Sequence, residues 1–211
     1  MKTMNNFLAI IICCITSNCS DIKKDKINSI NNKNELYEVQ TDEKIKILNT
    51  NPINVKEVKD RFKEFTTSTI LNNTQTSIYY KPDTVGYYGR YYIVEKKEDK
   101  YSIIGTLSIF NSDRIWDYDN ISDIFVEIVI NGNSLCVYSS IHIGVNKSVL
   151  VKMLGNPLKK TKDHYIYVND KTIAIFKIID EKVVWIKIGR YNDDVIENIN
   201  ENIYELINKN N

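Results

Sequence analysis

The chain has 211 residues, 43% of them hydrophobic, and its 28 Lys and Arg nearly cancel 27 Asp and Glu for a formal net charge of +1. That length fits one domain or two small ones, at roughly 100–200 residues each, with enough apolar content for a core. A near-neutral, Arg-poor chain argues against nucleic acid as a partner, because phosphate binding needs clustered cations.

The N-terminus reads as a targeting segment. Lys2 supplies positive charge, and Phe7–Ile15 is an unbroken apolar run. It is shorter than the roughly 20 apolar residues of a membrane-spanning helix, but it has the length of a signal-peptide core. Thr16-Ser17-Asn18-Cys19 follows. A cysteine placed there resembles the lipobox of bacterial lipoproteins, which implies a diacylglyceryl-modified Cys19 as the mature N-terminus. Simple secretion and an uncleaved anchor are the other readings. The expected organisation is residues 1–19 as a lipoprotein signal peptide and 20–34 as a solvated tether rich in Lys, Asn and Asp. Residues 35–211 then form a single α+β domain, with 35–120 and 121–211 as candidate subunits.

Leu36–Val39 and Lys44–Leu48 have the composition of short strands. Asn54–Phe65 predicts a helix: Val55, Val58, Phe62 and Phe65 recur at helical spacing, with Lys56, Lys59, Asp60 and Lys63 expected on the other face. Thr66–Thr76 is polar and reads as a loop, and Ser77–Tyr80 as a strand ended by Pro82-Asp83. Tyr87–Glu95 and Tyr101–Phe110 flank a charged turn and predict a hairpin.

Tyrosines crowd this region. One reading makes Tyr87, Tyr88, Tyr91 and Tyr92 an exposed binding platform for a peptide, glycan or protein, since Tyr brings contact area and a hydrogen bond at low entropic cost. In the other, adjacent tyrosines alternate between the two sheet faces, one packing and one covering the surface.

Asp113, Asp117 and Asp119 lack the alternating acids, glycine and closing Glu of a calcium loop, so no metal is expected there. Asp123–Ile130 is apolar on nearly both faces and predicts a central strand. Asn131-Gly132 is the strongest hairpin-turn signal, because both residues tolerate positive φ. Ser134–Ile143 is expected to return from it. Within that run Cys136 lies between Leu135 and Val137 and is expected to be buried and inert. Nothing in the sequence places His142 or His164 beside it.

The most informative stretch is Ile141–Ile188. Asn146 can cap a helix whose apolar stripe is Val149, Leu150, Met153 and Leu154. Gly155 stands at the position of a left-handed C-cap, and Pro157 prevents continuation. Tyr165–Val168, Thr172–Ile179 and Lys182–Ile188 read as a meander. A last helix starts at Asp193, with Ile196, Ile199, Ile203 and Leu206 as its stripe. The sum is an α+β fold: an antiparallel sheet with helices on one face, in helix-plus-meander units whose order would also suit a tandem.

Gly144-Val145-Asn146-Lys147 through Leu154-Gly155-Asn156-Pro157, followed by Tyr165-Ile166-Tyr167, resembles the signature G-M-[ST]-x-x-x-V-x-x-x-x-G-x-P … W-x-Y. That signature marks the small outer-membrane assembly lipoproteins of the SmpA/OmlA, or BamE-like, family. Val145 stands where Met is usual, Asn146 where Ser or Thr is usual, and His164 where Trp is usual. The same unit occurs in the β-lactamase-inhibitor-protein-like fold. The resemblance gives Gly144, Gly155 and Pro157 structural roles. Together with the N-terminus it implies a lipoprotein in the cell envelope, at the outer membrane facing the periplasm. The expected task is non-enzymatic binding of an envelope protein partner, as scaffold or inhibitor, without cofactor or metal. The alternative is a lipoprotein that binds a small ligand or glycan through the tyrosine-rich sheet face.

Overall fold

The computed structural model describes residues 47–48, 50–62, 68–71, 80–84, 86–112 and 123–208. They lie within one compact unit, Asn34–Asn211. The first half supplies helix α1 (Val55–Phe62) and strands β1 (Ser68–Leu71), β2 (Tyr87–Lys97), β3 (Lys100–Asn111) and β4 (Ile124–Ile130). A small hairpin follows, β5 (Cys136–Val137) and β6 (Ile141–His142). The second half supplies α2 (Lys147–Leu154), β7 (Lys159–Lys160), β8 (His164–Asn169), β9 (Thr172–Ile179) and β10 (Lys182–Arg190). Two helices close the chain, α3 (Asp193–Glu197) and α4 (Ile199–Asn208).

Eight strands form one sheet in the order β1-β2-β3-β4-β10-β9-β8-β7, with every neighbouring pair antiparallel. The fold is α+β, as the pattern predicts. The order reads as a palindrome. Each half contributes one helix and then four strands, and the last strand of each half, β4 or β10, meets the other at the centre. The elements therefore follow a tandem plan that no residue-level repeat announces.

Both faces of the sheet are buried. On one, Val58 of α1 and Leu150 and Leu154 of α2 pack with Tyr91, Ile93, Leu107, Ile128, Phe176 and Ile186. On the other, α4 covers β8 and β9 through Ile199, Ile203, Leu206 and Ile207 against Ile166, Ile173 and Ile175. The expectation of helices on one face is thus corrected: α1 and α2 share a face, and α4 takes the opposite one. The cause is visible in β9, where Ile173 and Ile175 point one way and Ala174 and Phe176 the other. A strand apolar on both faces needs a layer on each. The final helix also divides at Asn198, which has φ −102° and ψ 28°.

Three other local expectations change. Asn131-Gly132 does not turn β4 back onto itself. Neither residue has the positive φ that a two-residue hairpin turn requires. Asn131 instead donates its N–H to the Ile104 carbonyl at 2.9 Å, and β4 finds its next partner in β10. The tight turn comes later, at Tyr138-Ser139, which takes φ values of 48° and 65° and joins β5 to β6. Ser68–Leu71, inside the expected loop, pairs as an edge strand with Tyr88–Tyr91. Ile47 and Leu48 are helical rather than extended. The strand expectations at Leu36–Val39 and, apart from Tyr80, which is not in a strand, at Ser77–Tyr80 lie outside the described residues, as does the acidic loop with Asp113, Asp117 and Asp119.

α2 has the bounds the sequence predicts, and the Asn146 side chain accepts from the Ser148 N–H. Gly144 and Gly155 both take positive φ, 93° and 79°. At Gly155, ψ is −161°, so the cap is extended rather than left-handed helical. That conformation belongs almost solely to glycine and costs other residues about 1–3 kcal/mol. Gly155→Val should lose that much stability in denaturant unfolding. Gly155→Asn should not rescue it, although Asn tolerates a left-handed helical cap. A neutral Asn variant would place residue 155 in the ordinary left-handed region. Pro157 follows in the turn that leads to β7.

Candidate binding cleft and the residues around it

The tyrosines of β2 alternate about the sheet. Tyr88 is buried with Phe110 and Val126, and its hydroxyl donates to the Tyr80 carbonyl at 2.6 Å. Tyr91 is buried on the other face, with the Lys59 ammonium 5.6 Å from its ring centre. Tyr92 is half-buried, and the Tyr87 side chain lies outside the described residues. The platform reading is corrected on this point. Tyr88 and Tyr91 are core residues of opposite faces and offer no shared exposed surface.

Two buried ion pairs escape sequence reading. Lys59 and Asp123 meet at 2.6 Å with side chains only 2% and 3% exposed, and Asn111 Nδ2 donates to the other carboxylate oxygen at 2.8 Å. Lys59 was expected on the solvent face of α1, but it follows Val55 by four positions and precedes Phe62 by three. Those spacings place it on the inner face, where Asp123 offsets its charge. On the other sheet face Lys187 Nζ lies 3.4 Å from Glu127 Oε2 and donates to the Leu206 carbonyl at 3.0 Å. Its charge near the C-terminus of α4 suits the helix dipole.

Cys136 is exposed, which corrects the expectation of burial. A two-residue strand in a separate hairpin turns one side chain inward, and here that is Val137. The β5–β6 register also sets Cys136 directly opposite His142. His142 Nδ1 lies 2.8 Å from the Ile143 carbonyl oxygen, which can only accept, so Nδ1 carries a proton and donates it. His164, at the Trp position of the resemblance, stacks edge-on to Trp185 at 6.4 Å. Burial, then Lys177, holds its pKa below the ordinary imidazole value.

The segment entering α1 and the β5–β6 hairpin together enclose an open cleft of about 630 Å³. The Tyr138 N–H donates to the Pro52 carbonyl at 2.8 Å and holds the two walls together. Ile53, Val58, Leu135 and Met153 give the cleft apolar patches, and Asn51, Asn54, Ser134 and Ser139 give it neutral polar ones. Tyr138 is 7% exposed, yet among the described residues neither its hydroxyl nor the buried Ser134 Oγ has a hydrogen-bond partner. An unpaired buried polar group costs about 1–3 kcal/mol. The left-handed backbone at Tyr138 and Ser139 adds a similar cost.

No family model, curated protein or solved structure matches this chain. What it binds has therefore to be argued from its own surfaces. Among the described residues no group of three metal-ligating side chains comes together, and no helix is long and apolar enough to cross a membrane.

Proposed function

We propose that the chain is a lipid-anchored cell-envelope protein that binds a protein partner, as scaffold or inhibitor, and performs no reaction of its own. The observation that carries the binding half of this reading is the arm formed by β2 and β3. The register with β4 begins only at Gly105, so Lys100–Ile103 pair with β2 alone among the described residues. Tyr101 and Ile103 lie on the same face of this projecting arm and are 54% and 58% exposed. Exposed apolar groups grouped on a projecting element mark interaction surfaces more often than scattered ones do. The anchoring half rests on the N-terminal sequence. The outer-membrane, periplasm-facing address rests on the resemblance carried by Gly144, Gly155 and Pro157.

The reading is tested in two steps. Cys19→Ala should move the protein from the membrane to the soluble fraction, since one acylated cysteine would be the only anchor left after cleavage. Persistence in the membrane, with cleavage demonstrated, would sink the anchor. A photo-crosslinking residue at position 103 should trap a partner in intact cells, whereas one at exposed Lys152 of α2 should not. Equal yields from both positions would show that the arm is not the contact surface.

A further inference from the structure

We propose that Cys136 and His142 form a two-ligand site for a soft monovalent metal ion, copper(I) or its redox-inert counterpart silver(I). This inference goes beyond the proposed function and does not depend on the anchor or on the arm. The β5–β6 register makes the two residues direct cross-strand partners. Directly opposed residues of an antiparallel pair share a face, with Cβ atoms about 4.5–5.5 Å apart. The neighbouring pair, Val137 and Ile141, is fully buried, so Cys136 and His142 take the outward face. Cys136 is exposed and His142 half-buried, so an ion from solvent reaches both. A thiolate sulfur and an imidazole nitrogen on one ion stand roughly 4 Å apart, a span that side chains on such neighbouring Cβ atoms can make. The histidine is already oriented, because its Nδ1 proton goes to the Ile143 carbonyl at 2.8 Å. Metal-ligating histidines usually donate one ring N–H to a carbonyl or carboxylate in this way, which leaves the other nitrogen for the metal. The hairpin is tied down as well: Ser140 N–H donates to the Val137 carbonyl at 3.2 Å and Gly144 N–H to the Val183 carbonyl at 2.7 Å.

The ligand number selects the ion. Structural zinc takes about four ligands and calcium about six or more oxygens. Among the described residues no group of three His, Cys, Asp or Glu forms, so neither ion is satisfied. Copper(I) and silver(I) accept a linear pair of ligands, and a thiolate suits such soft ions. On binding, the Cys136 thiol gives its proton to water as the sulfur–metal bond forms, and His142 keeps its Nδ1 proton. The metal is neither oxidised nor reduced.

The experiment uses the full chain with Cys13, Cys14 and Cys19 replaced by Ser, so that Cys136 is its only thiol. Copper(I) is supplied without oxygen as its coloured bathocuproine disulfonate complex, and loss of that colour reports transfer to the protein. Silver(I) is titrated separately while the ring nitrogens of His142 are followed by NMR. A single copper(I) per chain is expected. Cys136→Ser should abolish the transfer, and His142→Gln should weaken it about 100-fold. Silver(I) should shift the Nε2 resonance of His142 more than the Nδ1 resonance. That measurement needs no change at position 142, so it decides the matter if His142→Gln fails to fold. Failure of the protein to take copper(I) from the complex would overturn the proposal. Equal affinity in His142→Gln, or an unmoved Nε2 resonance, would mean an adventitious adduct of the thiolate only and would overturn it as well.

Discussion

Asp123→Ala should destabilise the protein by about 3–5 kcal/mol, the usual cost of removing one partner from a buried ion pair. Asp123 accepts from Lys59 at 2.6 Å and from Asn111 at 2.8 Å, and both members of the ion pair are almost fully enclosed. Without the carboxylate, a buried ammonium on α1 keeps its desolvation cost and loses the counter-charge that Asp123 supplies. The pair also ties α1 to the start of β4, so the loss should appear as a lower denaturant midpoint with an unchanged slope. Lys56–Asp60, on the same helix but 62% and 52% exposed, supplies the control. Lys56→Ala should stay within about 0.5 kcal/mol, because water already screens that pair. Replacing both partners, as Lys59→Met with Asp123→Leu, should recover most of the loss. An Asp123→Ala variant as stable as the wild type would show that water reaches Lys59.

The second large effect belongs to α2. Leu154 is 2% exposed and packs into the core shared with α1, so Leu154→Ala should cost about 2–5 kcal/mol through lost burial and the cavity left behind. Lys152, exposed on the same helix, should tolerate Ala within about 0.5 kcal/mol. Equal losses at the two positions would put the helix in the wrong phase. Val149 separates apolar pattern from burial. It belongs to the expected apolar stripe, yet it is exposed, because the helix is only eight residues long and presents Leu150 and Leu154 to the sheet.

Elements with strong local instructions were legible from the sequence alone. Asn146 and Gly155 bound α2 because capping is a contact within one turn. β9 spans Thr172–Ile179 as expected, because its run of apolar and β-branched residues is bounded by turn residues on both sides. β4 was legible as a central strand for a related reason: its two apolar faces both require cover.

What depends on distant partners was not legible. Asn131-Gly132 has the composition of a hairpin turn, but β4 pairs with β10, about sixty residues further on, and Ile104 takes the Asn131 N–H. Lys59 reads as a surface residue until Asp123 arrives from another element to offset its charge. Tyr88 and Tyr91 read equally well as platform or core, and only the layers on the two faces decide for core. The cleft is the extreme case. Its walls come from Asn51–Arg61 and Ser134–Ser139, which meet only in the folded chain. Sequence determined the local elements because caps, turns and periodicity act within a few residues. Tertiary structure decided pairing, burial and the cleft, because those depend on which surfaces exclude water from one another.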